Sequence, residues 1–247
     1  MKALIKKAQA QTKVKYREIV VLTNKEFDNI IRMVILSDIT QINKSRLIRV
    51  LEESYPAYLA PSLMLFSYKT RFALNCKYKS NKGNPIGDYQ YFERVSSAIE
   101  IAYMENILHS IRNLAERVGN FLNLAHPEIS YKDGIGFINE NKPDGEGPLN
   151  YALLHKENNY MQYLIDAYYS WISKIKKSDN YVKHNKNLKY AGLLDWSIHN
   201  QMPYLLPSII YDQKQDVHYS NENIDALVRD CYDLINRTIQ YVIKALV

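Results

Sequence analysis

Six lysines (Lys174, Lys176, Lys177, Lys183, Lys186 and Lys189) face a single acid, Asp179, in the run WISKIKKSDNYVKHNKNLKY between Trp171 and Tyr190. Trp171, Tyr181 and Tyr190 are interleaved among them, and Asn180 and His184 add an amide and an imidazole. Cations that neutralise phosphate and rings that stack on unpaired bases are what a single-stranded nucleic acid asks of a surface. Histidine is also the residue type that takes up and returns a proton near neutral pH. The same lysines equally suit the solvated end of a helix, where cations complement the dipole.

Elsewhere the chain offers less. No GxxxxGK[ST], GxSxG or HExxH run occurs, and Gly134-Ile135-Gly136 lacks the third glycine of a dinucleotide fingerprint. Glu105 and His109 are four residues apart with no second copy, which is not the Glu-x-x-His pairing of di-iron bundles. They read as a solvated helix flank. Arg112 and Glu116, also four apart, read as a surface ion pair worth roughly 0.2–0.5 kcal/mol. Cys76 and Cys231 are the only cysteines, too few for a disulfide framework or a cysteine-rich zinc site, and Cys231 falls on an apolar stripe that suits core packing. No metal and no cofactor are expected.

The elements that must position these residues are helical. Ile101, Met104, Leu108, Ile111, Ala115, Val118 and Leu122 step by threes and fours, which predicts a helix over about Asp88 to Asn123. Met161, Leu164, Tyr168, Trp171 and Ile175 repeat the rhythm from about Glu157 to Lys177. Leu227, Cys231, Leu234, Thr238, Tyr241 and Ala245 do so again, with Asn221 a good N-cap. Nearer the N-terminus, Thr23-Asn24-Lys25-Glu26 reads as a capping box. Asn43 opens a short helix ending at Tyr55-Pro56, and Pro61 opens another over Ser62 to Leu74. Lys77 to Gly87, Ala125 to Pro148 and Asn200 to Ser220 read as irregular.

Three long amphipathic stripes call for mutual burial, and the expected fold is an all-α antiparallel helical bundle with irregular insertions. Residues 1–87 form its helical N-terminal extension and 88–247 the bundle proper, together one unit. With 47% hydrophobic and 23% charged residues in 247, and only eight glycines and eight prolines, the chain is neither disordered nor a turn-rich β-protein. A net charge of +6 admits an anionic partner without requiring one. No stretch has the length to span a bilayer or serve as a signal h-region, so a cytoplasmic protein with no membrane association is expected.

A long amphipathic helix ending in a charged residue, a polar residue and then a His, inside an all-α bundle, resembles the HEPN superfamily (higher eukaryotes and prokaryotes nucleotide-binding). Its signature is an Arg, usually followed by Asn, Asp or His, and then a His after four to six intervening residues. Here the stretch is Lys177-Ser178-Asp179-Asn180-Tyr181-Val182-Lys183-His184. His184 and Asn180 match, while Asp179 or Lys177 stands where the Arg belongs. Lysine lacks the planar fork of a guanidinium, and an aspartate repels phosphate. Arg112-Asn113 has the dipeptide with no His within seven residues downstream, and is set aside.

The resemblance implies a metal-independent or degenerate ribonuclease, or an RNA-binding protein, of a defence or toxin–antitoxin type. It implies His184 and Asn180 as the catalytic pair, and Lys177, Lys183, Lys186 and Tyr181 as RNA contacts. A homodimer is implied as well, to which Tyr168 and Trp171 lend aromatic anchors. The alternative is a non-catalytic bundle serving protein–protein interaction or self-association.

Overall fold

Leu108, Ile111, Ala115, Val118 and Leu122 are all buried along one face of a forty-residue helix that runs from Ile86 to Ala125. The computed structural model describes residues 23–80, 86–130, 135, 147–184, 189–190, 210–212, 217–219 and 221–247; side chains are described over 23–68, 102–130, 135, 147–180 and 224–247. In chain order the helices are α1 (residues 23–36), α2 (Gln41–Ser80), α3 (Ile86–Ala125), α4 (Pro148–Leu154), α5 (Asn159–Ala167), α6 (Ser173–His184) and α7 (Asn221–Ala245). The protein is an all-α helical bundle, with α3 at its centre packed against α2, α6 and α7.

Partner residues give the directions. His109 and Arg112 of α3 meet Asp179 and Asn180, while Glu116 meets Lys176, so α3 and α6 run oppositely. Ile111 meets Cys231 and His126 meets Tyr241, so α3 and α7 run the same way. Each Leu or Ile fully buried along these seams contributes about 1.5–3 kcal/mol. Phe27, Val34, Leu47, Leu51 and Tyr58 of α1 and α2 belong to the same apolar cluster as Ile111 and Leu234. The first two helices therefore share the core of the rest.

Of the stripe foreseen in α3, Met104 to Leu122 are buried and the Ile101 side chain lies outside the described set; of that in 157–177, Met161, Leu164, Trp171 and Ile175 are buried and Tyr168 is half-buried. In α7 the buried line is Ile224, Val228, Cys231, Leu234, Ile235, Thr238, Ile239 and Val242, which leaves Tyr241 half-buried and Ala245 exposed.

The N-terminal expectation needs more correction. Thr23 is already helical, and Thr40 rather than Asn43 caps the second helix, accepting from the Asn43 amide at 3.3 Å. The two short helices expected around Pro56 and Pro61 are one, α2, with both prolines inside it. Each proline removes a backbone hydrogen bond that an uninterrupted helix would make. Packing offsets the loss. Phe27 contacts the rings of Tyr55 and Tyr58 at 5.0 and 5.3 Å, and Tyr58 packs on Tyr232 of α7 at 4.8 Å. Tyr232 Oη also donates to the Tyr58 carbonyl at 2.8 Å and lies 2.7 Å from Ser62 Oγ, beside the turn that Pro61 interrupts.

Between α5 and α6 the helix does not stop but widens into a π-turn over Tyr168–Ile172. The wider turn carries the inward face from Trp171 and Ile172 through Ile175 to Ser178 and Asp179, all buried. Three short antiparallel strands occur after α6: β1 (Lys189–Tyr190) precedes the stretch Asn200 to Ser220 expected to be irregular, and β2 (Ile210–Asp212) and β3 (Val217–Tyr219) lie within it, with Tyr190 opposite Ile210 and Ile210 opposite Tyr219.

Candidate functional site

On α3, His109, Arg112 and Glu116 fall on a line beside the buried Leu108, Ile111 and Ala115, because steps of three and four return to one flank. On α6 the inward face delivered by the π-turn ends in Asp179 with Asn180 beside it. Antiparallel packing sets the two polar lines against each other.

Asp179 is 3% exposed and divides its oxygens between two bases. Its Oδ2 accepts from Arg112 Nη1 at 2.5 Å, and its Oδ1 lies 3.0 Å from His109 Nδ1. The same Nη1 donates to Asn180 Oδ1 at 2.6 Å. The outer ring nitrogen of His109, Nε2, is 3.0 Å from the Asn113 amide nitrogen. A carboxylate at Nδ1 and an amide donor at Nε2 suit the tautomer that carries its proton on Nδ1 and its lone pair on Nε2. One turn along, Glu116 Oε1 faces Arg112 Nε at 3.7 Å and Lys176 Nζ at 3.9 Å. Its other oxygen accepts from the Ile135 backbone amide at 2.5 Å.

The imidazole is thus oriented by a buried carboxylate and open to solvent on its outer edge, with 41% of its side chain exposed. That arrangement suits proton transfer at Nε2. The Arg112 guanidinium stands one turn along α3, and Lys176 faces the turn after that, beside Glu116. Among the described residues, no group of three His, Cys, Asp or Glu side chains is placed to hold a metal ion.

These contacts change three readings. The flank Glu105/His109 supplies the imidazole of a buried acid–base pair. Arg112 pairs with Asp179 as well as Glu116, and with 20% of its side chain exposed it is no surface residue. Arg112-Asn113, set aside for lack of a nearby His downstream, has its His one turn upstream and its acid on another helix. One signal for Asp179 was present: extending Trp171 and Ile175 by four places an acid on the buried stripe, where it needs a cation from the facing helix.

Of the residues foreseen in the basic run, Asn180 joins this cluster and Lys177 is exposed one turn before it. Tyr181, Lys183 and His184 lie on the last turn of α6, with His184 four residues beyond Asn180, and their side chains lie outside the described set. Lys186 falls outside the described residues altogether. Trp171 is 9% exposed and belongs to the chain's own core, which removes it as an anchor for a second copy. Tyr169, at 55%, is the exposed aromatic of that turn, and Tyr168 is half-buried.

A second polar network closes the other end of the bundle. His126, just past α3, holds Tyr241 Oη at 2.8 Å on Nε2 and Tyr151 Oη at 2.9 Å on Nδ1. Burial lowers the His126 pKa; nearby Glu128 opposes that shift and His155 adds to it. Burial likewise pushes Tyr151 up to about 12, helped by Glu128 and Tyr241. The rings of His155, Tyr151, His126, Tyr241 and Tyr160 follow one another at 4.3, 4.8, 5.7 and 4.5 Å, joining α3, α4, α5 and α7.

No family model, no curated protein and no solved structure matches the chain.

Proposed function

We propose that this protein acts on single-stranded RNA and cleaves it without a metal ion, with the working groups on the α3/α6 seam. The observation that supports the reading is His109, half-open to solvent, held by buried Asp179 beside Arg112 and the α6 lysines. With the Asn113 amide displaced from it by the substrate, His109 Nε2 takes the proton of a ribose 2′-hydroxyl as that oxygen bonds to phosphorus. The bond from phosphorus to the 5′-oxygen breaks, and the departing oxygen takes a proton from water. The products are a 2′,3′-cyclic phosphate and a 5′-hydroxyl. Lys177, exposed one turn before Asn180, extends the cationic path along the strand, and Lys183 and His184 follow in sequence on the last turn of α6. A second copy would meet this one along α6, with Tyr169 as its exposed aromatic, and light scattering reporting a monomer at high micromolar concentration would refute that assembly.

The test is incubation of the purified protein with single-stranded RNA in chelator. His109→Ala is expected to lower cleavage about 10²–10⁴-fold while binding persists. Loss of cleavage in His184→Ala but not in His109→Ala would move the site to the end of α6. A wild type that neither binds nor cleaves RNA leaves the seam as a lock between helices in a partner-binding bundle, a reading favoured by the internal partners that Arg112 already has on Nη1 and Nε.

A further inference from the structure

The four charges paired across the α3/α6 seam cancel. Arg112 divides Nη1 between Asp179 and Asn180 and turns Nε toward Glu116, which also faces Lys176. Two cations stand against two carboxylates, so a phosphate drawn there meets little net charge. The working nitrogen of His109 is also turned from α6. Its Nδ1 faces Asp179 of α6, whereas Nε2, on the other side of the ring, faces Asn113 of α3. A hydroxyl that gives its proton to Nε2 takes the place held by the Asn113 amide nitrogen, and the phosphorus it attacks lies next to that place.

Helical geometry says which residue stands there. At 3.6 residues per turn, three steps from His109 turn about 60° one way, to Arg112 and α6. Four steps turn about 40° the other way, to Asn113, and four more continue to Arg117. Residues four apart are neighbours on a helix surface, and side chains lean toward the helix N-terminus, which sends Arg117 back over Asn113. Arg117 is partly exposed and, among the described residues, has neither an ion pair nor a hydrogen-bond partner. Its planar fork of donors, which matches two oxygens of a phosphate, is uncommitted.

We propose that Arg117, rather than Arg112, contacts the phosphate that the 2′-hydroxyl attacks. The proposal rests on the reading of His109 as the base. Arg112 supports Asp179, Arg117 binds substrate, and the strand crosses the outer flank of α3 at Asn113 and Arg117. The α6 lysines then meet phosphates on either side of the one that reacts.

Fluorescence anisotropy of a labelled single-stranded RNA across a salt series tests it. Arg117→Gln should bind several-fold more weakly at low salt, with a log–log slope shallower by about 0.7, the increment for one phosphate contact on a single strand. Arg117→Lys keeps a charge and should keep that slope. Arg46→Gln, which removes an exposed cation from α2, should bind as the wild type does. With protein saturating, Arg117→Gln should cleave about 10²-fold more slowly, the cost of losing a donor aimed at charge that develops in the transition state. An unchanged slope or an unchanged cleavage rate in Arg117→Gln overturns the proposal. So does a urea midpoint lowered as far as that of Arg112→Ala, which would make Arg117 a support of the bundle instead. If the wild type binds no RNA, the functional reading fails by itself, and phenylglyoxal modification read by peptide mass spectrometry decides this one. Inorganic phosphate should slow modification of Arg117 and leave that of Arg46 unaffected; no protection of Arg117, or equal protection of both, refutes it.

Discussion

Replacing Arg112 by Ala separates a buried ion network from a decorative surface pair. The substitution strips the guanidinium from Asp179 Oδ2 at 2.5 Å and from Asn180 Oδ1 at 2.6 Å, around a carboxylate that is 3% exposed. Removing one partner of a buried pair costs about 3–5 kcal/mol, because the charge left behind is poorly solvated. His109, with 41% of its side chain exposed, still faces Oδ1 at 3.0 Å, so the low end, about 3 kcal/mol, is expected. Urea unfolding followed by far-UV circular dichroism reads this directly. At a slope of about 3 kcal/mol per molar, fitting a chain of this size, the midpoint should fall by about 1 M. Arg112→Ala combined with Asp179→Asn should be more stable than Arg112→Ala alone, since the uncompensated charge has gone. A loss below about 0.5 kcal/mol, the worth of an exposed pair, would refute the reasoning. So would a double variant less stable than the single one.

Acidification should weaken the fold through His126. Burial holds its folded pKa below the ordinary 6.5, so the unfolded chain binds more protons and stability, intact above 6.5, declines as pH falls through that value. His126→Phe should remove that part of the slope, at most about 1.4 kcal/mol per pH unit, in unfolding curves compared at several pH values. Cys231 is fully buried and burial pushes its thiol up, so in a Cys76→Ser background a disulfide reagent should label it only as fast as the protein unfolds. Tyr232→Phe removes the hydroxyl that serves the Tyr58 carbonyl and Ser62, and should cost about 1–2 kcal/mol in thermal or urea unfolding with the helical spectrum unchanged.

What could be read in advance follows from what a stripe encodes. The spacing of Met104, Leu108, Ile111 and Val118 fixes a period and an inward face, and those residues are buried as their spacing requires. Prolines mislead for the converse reason. A proline's local cost is legible, but the aromatic contacts of Tyr55 and Tyr58 that outweigh it belong to helices α1 and α7, distant in sequence. Asp179 was visible as the single acid in a basic run and, four beyond Ile175, on the extension of an apolar stripe. Nothing in that run says that a π-turn at Tyr168–Ile172 advances the inward face onto it. Arg112 shows the same limit, since the i,i+4 partner Glu116 is legible while the better partner, 67 residues away, is not.

The seam's composition also bears on why it is polar at all. A buried Arg–Asp pair is often no more stabilising than apolar residues of the same volume, so holding α3 against α6 does not by itself call for one. Leu and Ile line both helices immediately alongside, at Leu108, Ile111, Ile172 and Ile175. What an apolar seam could not do is keep an imidazole in one tautomer at the protein's surface. Asp179 fixes the proton on Nδ1 of His109, Arg112 keeps Asp179 in place, and the lone pair of Nε2 faces outward under the exposed amide of Asn113. The order of burial, from carboxylate to guanidinium to imidazole, is that of a support whose working end is His109.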